Sequence, residues 1–84
     1  MPELIHTHST QVKRADGTLY NVHTFAQRRE DGTWSGWLEF HPTDGSNAVL
    51  RTDQETSQPS REAVEYWATG LEAVYLDGAL TRAR

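Results

Sequence analysis

The chain has 84 residues, 36% of them hydrophobic, with a mean hydropathy of −0.74, no cysteine and a formal net charge of −4. So little surface supports one core, and a single domain over residues 1–84 is expected. The lack of cysteine excludes disulfides, thiolate nucleophiles and cysteine-held metals, and the acidic balance disfavours nucleic acid as the main partner.

No apolar run reaches membrane-spanning length, and the start of the chain lacks a basic segment followed by an apolar one. A cytoplasmic protein without a membrane partner is the expectation. The apolar residues present are bulky: Tyr20, Phe25, Trp34, Trp37, Phe40, Tyr66, Trp67 and Tyr75. A few aromatics can close a thin core that aliphatics alone would leave unfilled.

The first strand is expected over about Leu4 to Lys13, with poor alternation. Asp16-Gly17, Asp31-Gly32 and Asp44-Gly45 then mark three tight turns, each placing a residue that tolerates positive φ beside one that prefers it. Between them lie strands over Thr18 to Arg29 and Trp34 to His41. Period-two alternation puts Tyr20, Val22, Thr24 and Ala26 on one face with Trp34, Gly36, Leu38 and Phe40. A short fourth strand is expected at Ala48 to Thr52.

Asp53 to Ser57 reads as a polar loop leading into a helix, with Ser57 or Gln58 as its cap, Ser57 being the better former of a side-chain bond, and Pro59 in its first turn. The helix is predicted to run to about Asp77 and stop at Gly78. Val64, Trp67, Ala68, Leu71, Val74 and Tyr75 form its core stripe at 3.6-residue spacing. Gly70 weakens it by about 1 kcal/mol relative to alanine, which close packing offsets or a kink accommodates. Leu80 to Arg84 is either a further short helix or a frayed tail. The fold class is therefore α+β: an antiparallel three- to four-stranded meander followed by one C-terminal helix packed on one sheet face.

One helix leaves one sheet face bare. That face carries His23, Phe25, Trp37, Glu39 and His41, a candidate interaction face. Tyr66, Ala73, Leu76 and Leu80 lie off the helix stripe and form a candidate dimer face, so a homodimer and a further protein partner are expected. Arg28 and Arg29 at a strand end would contact phosphates if Phe25 and Trp37 stacked bases instead. His6 and His8 share a strand face, but two ligands are too few for a zinc site. Glu39 and His41 are the only close acid and imidazole pair on a strand, and an open face is a poor place for acid–base chemistry. No cofactor, metal or catalytic residue is expected, and the leading reading is a non-catalytic, self-associating protein-interaction module.

The stretch Asp31 to Phe40, the run Arg51 to Ser60, and Tyr66-Trp67-Ala68 with Tyr75-Leu76 are similar to a family of short bacterial proteins, a likeness that implies no activity. The order of elements from Tyr20 to Leu76 also resembles the N-terminal domain of HicB-like antitoxins: a small antiparallel sheet, a polar loop and one helix. The chain departs from those antitoxins at Pro42-Thr43-Asp44-Gly45, where a proline-rich segment is usual, and a DNA-binding module after Arg84 is not expected. The resemblance implies element order and, as an alternative function, an antitoxin-like or single-strand nucleic-acid binder.

Overall fold

The structure is a computed structural model and describes residues 1–46 and 48–84. Its strands are β1 (Glu3–Thr7), β2 (Val12–Lys13), β3 (Leu19–Arg28), β4 (Trp34–Pro42), β5 (Leu50–Arg51) and β6 (Thr56–Gln58). Two helices follow, α1 (Arg61–Thr69) and α2 (Ala73–Arg82). The class is α+β with an antiparallel sheet, but the expected three to four strands and single helix undercount both elements.

The strand count rises because both outer rows are interrupted. β1 and β2 lie along the same edge of β3, and β5 and β6 along the outer edge of β4. The sheet therefore has four rows. The single first strand expected over Leu4 to Lys13 breaks between Thr7 and Val12, and β1 itself slips register between Leu4 and His6. In the fourth row Asp53 and Gln54 bulge outward, while Thr52 N–H still donates to Leu38 and Glu55 N–H to Gly36. The Thr56–Gln58 segment beyond this bulge pairs with Trp34–Gly36, so residues expected to be loop and helix cap are strand.

The turns before β3, between β3 and β4 and after β4 all use one device, an Asp-Gly pair whose glycine has positive φ. Gly17 and Gly32 have φ of 92° and 89°, where a side chain would be strained. The preceding Asp16 and Asp31 each accept the backbone N–H two residues on, from Thr18 and Thr33. The Thr18 N–H holds the Asp16 carboxyl below the usual carboxylate range, and the Thr33 hydroxyl, followed by its N–H, does the same for Asp31.

α1 starts at Ser60, whose hydroxyl caps the N–H of Ala63, in place of the expected Ser57 or Gln58. The helix ends at Gly70, and Leu71 and Glu72 separate it from α2, which continues through Gly78 to Arg82. The interruption resets the helical phase. Val74, assigned to the core stripe on the assumption of one helix, is 79% exposed. Leu76, Ala79 and Leu80 are buried instead. Two helices cover the sheet better than one straight rod. α1 closes a small cluster of Ile5, Ala26 and Val64, and α2 closes the larger one of Val12, Tyr20, Val22, Leu38, Phe40, Leu76, Ala79 and Leu80. Trp67 packs against both. The tail is fastened as well: Arg84 and Arg51 exchange backbone hydrogen bonds.

Below the helices, Glu55 accepts hydrogen bonds from the Tyr75 hydroxyl (2.5 Å) and the Arg82 guanidinium (2.6 Å). Burial and the adjacent carboxylate push the Tyr75 hydroxyl up to about 12. This network ties the bulged fourth row to α2.

Candidate functional site: the uncovered sheet face

Both helices lie on the face bearing Tyr20, Val22, Leu38 and Phe40, and among the described residues no layer covers the other face of β3 and β4. Strand register arranges that second face in rows. Leu4, Phe25 and Trp37 are cross-strand neighbours, and Thr7, His23, Glu39 and Arg51 form the next row. His41 follows, opposite Asn21. All five residues of the predicted interaction face thus lie together on the uncovered side.

They are not equally open. Trp37 is only 6% exposed, which corrects the expectation of a solvated tryptophan. Its ring is stacked beside Phe25, with centroids 6.4 Å apart and planes 16° from parallel. The Arg51 guanidinium lies over it at 4.9 Å, and its indole N–H donates to Glu39 Oε2 at 3.2 Å. Side chains of neighbouring rows therefore cover Trp37 where no helix does, combining apolar contact with a cation–π interaction. Leu4, by contrast, is 51% exposed, and Phe25 is half-buried. A hollow of about 350 Å³ opens beside Trp37, lined by Gln27, Ser35, Arg51 and Gln54.

The contributions of Leu4, Thr7 and Arg51 escaped the sequence reading. The register slip in β1 hides which face its residues occupy, and Arg51 reaches Trp37 only once the fourth row has paired with β4.

His23 and His41 meet edge to face, with ring centroids 4.9 Å apart. His41 Nε2 is 3.2 Å from Glu39 Oε1, and His23 Nδ1 is 3.2 Å from the Thr7 hydroxyl. Burial, and then the neighbouring His41, lower the pKa of His23, with Glu39 opposing. Among the described residues no three histidine or acidic side chains form a group that could hold a metal ion.

His8 reaches toward the covered side. Its Nε2 shares a 2.8 Å hydrogen bond with the buried hydroxyl of Thr24, and its ring meets His6 edge to face at 4.6 Å. Burial, followed by the imidazoles of His6 and His23, pushes it from the ordinary 6.5 down to about 4. The folded-state pKa lies below the unfolded one, so the fold prefers the neutral ring. His8 thus opposes folding only when acid charges it: stability is intact above pH 6.5 and declines as pH falls toward 4. With solvent screening at a half-buried ring, the expected loss is about 1–2 kcal/mol. Urea midpoints at pH 7.5 and 4.5 check this, and His8→Gln should show a smaller acid-induced drop than the parent chain.

The other predicted surface does not assemble. Leu76 and Leu80, placed on a dimer face of the helix, are 1% and 8% exposed and belong to the main core. Tyr66 and Ala73 are exposed, but without those leucines they do not make the apolar stripe expected. The kink at Gly70 is the cause, because it turns the second helix so that its leucines face Tyr20 and Phe40.

Of the two candidate phosphate ligands, Arg28 is exposed, while Arg29 is engaged. Arg29 donates to Thr33 (3.0 Å), to Ser57 (2.9 Å) and to Gln54, binding the turn before β4 to the fourth row. A larger hollow of about 610 Å³ lies between Lys13, Leu50, Leu80 and Arg84. Two of the cations around it are already occupied, Arg14 by the Tyr20 hydroxyl and Arg84 by Asp53. No helix among the described residues is long and apolar enough to cross a membrane.

No protein-family model, curated protein or solved structure matches this chain. The reading of its function therefore rests on its own geometry.

Proposed function

We propose that the chain is a non-catalytic protein-interaction module that presents its uncovered sheet face, and that a second copy of itself is one partner. The observation that carries this reading is the exposed Leu4 beside the half-buried Phe25 on a sheet whose two helices both pack on the opposite side. Apolar residues grouped on an uncovered face favour association because pairing removes them from water.

Light scattering across a dilution series tests this, with Leu4→Glu as the variant. The parent is expected to be a dimer that dissociates on dilution. The variant is expected to be monomeric at the same concentrations with unchanged thermal stability, because Leu4 is exposed and contributes little to the core. A parent that stays monomeric, or a variant that dimerises as well as the parent, overturns self-association through this face.

The antitoxin-like or single-strand nucleic-acid reading has weaker support, since the Arg29 guanidinium is consumed by Thr33, Ser57 and Gln54. It predicts salt-sensitive retention on an oligonucleotide column that Arg28→Ala weakens.

A further inference from the structure

The four histidines of the chain lie around one corner of the sheet, where β1 runs along β3, as two pairs on opposite faces. His6 and His8 make one edge-to-face pair, at 4.6 Å, and His23 and His41 the other, at 4.9 Å. The end of β1 hangs on this corner. His8 bonds the Thr24 hydroxyl through its ring and Val22 through its N–H, and Thr7 bonds His23. The rest of β1 is lightly held. Its ladder is broken by the slip between Leu4 and His6, Ile5 is its one buried residue, and Glu3 is tied to Arg61 of α1 by an ion pair at 2.9 Å.

We propose that β1 is an acid-released strap: when the histidine corner becomes protonated, β1 leaves β3 and uncovers the apolar slot filled by Ile5, while the main core stays folded.

The charges around the corner favour this. From its own segment His8 meets His6, and from β3 it meets His23. On β4, His41 and Glu39 stand on the opposite face of the sheet and are paired with each other. α1 contributes Arg61, which is engaged with Glu3 at the other end of the strand. Acid therefore adds positive charge on His6 and His23 near the half-buried His8 ring, and solvating that charge requires the edge to open. The opening is local because the main cluster contains no residue of β1; its edge contribution comes from Val12 of β2. Release exposes Ile5 and the surfaces of Ala26 and Val64 beneath it.

Amide hydrogen exchange on the full chain, corrected for intrinsic rates, tests the proposal between pH 7.5 and 4.5. The expected result is that protection in β1 falls by up to about tenfold for each pH unit below the ordinary histidine pKa. Protection in β3 and β4 is expected to persist. His8→Gln, which keeps a donor and acceptor near Thr24, is expected to hold β1 closed at pH 4.5. Should that variant fail to fold, His6→Gln removes one charge from the same pair and is expected to shift the opening to lower pH. Three results would overturn the proposal: β1 stays protected in acid, all strands lose protection together, or the histidine variants open at the same pH as the parent.

Discussion

Replacing Trp37 by alanine is expected to destabilise the fold by about 3–5 kcal/mol, a large share of what so small a domain possesses. The residue stands on the face without helices, where a tryptophan would ordinarily be expendable, yet it is 6% exposed. Truncation removes the stacked neighbour of Phe25, the surface under the Arg51 guanidinium and the donor to Glu39. Each of the aromatic and cation–π contacts is worth about 0.5–1.5 kcal/mol beyond the area buried. Loss of the donor leaves Glu39 with His41 as its partner. Urea unfolding followed by far-UV circular dichroism reads the effect. A loss under about 1 kcal/mol would mean that Trp37 is solvated in solution and that its cover of side chains is not maintained. The same variant cannot report on self-association, because a change in folding would mask it; Leu4 is the residue for that purpose.

Gly36→Ala is expected to cost about 1–3 kcal/mol, although alanine adds only one methyl group. A Cβ at this position would lie 2.8 Å from Cγ2 of Thr56 and 3.2 Å from Cγ1 of Val64. Both neighbours are β-branched and stiff about χ1, so neither swings away freely. Gly36 is thus the point where β4, β6 and α1 come closest. In the double variant Gly36→Ala with Thr56→Ser, the offending methyl is gone, and part of the lost stability should return. That rescue is a coupling between two positions in contact, and a double-mutant cycle measures it. Neutral behaviour of the single variant would show that Thr56 and α1 can retreat, and that the close approach is not obligatory.

Much of the architecture was legible from local patterns. The Asp-Gly turns at 16–17 and 31–32 and the alternation in β3 and β4 are local, and both faces of those strands came out as expected. The interrupted edges were not legible. β1 contains a slip, β2, β5 and β6 have two or three residues each, and such segments are strands only because β3 and β4 hold them. The helical layer was half legible. Gly70 marked a weak point, but whether a helix bends or continues there depends on what each half buries.

For the candidate site the division is similar. Alternation alone places His23, Phe25, Trp37, Glu39 and His41 on one side of the sheet, because side-chain direction in a strand has a period of two. It carries no information about cover. Trp37 is buried by Arg51 from 14 residues further along and by Phe25 from the preceding strand, and these contacts exist only after register is set. Leu76 and Leu80 joined the core for the converse reason, since their face follows from the turn after Gly70 and not from their spacing. The sequence by itself determined the class, the turns and the two faces of the central hairpin, all properties of neighbours along the chain. Tertiary structure decided which apolar residues are covered and which histidine lies against which, because burial and charge proximity depend on segments far apart in sequence.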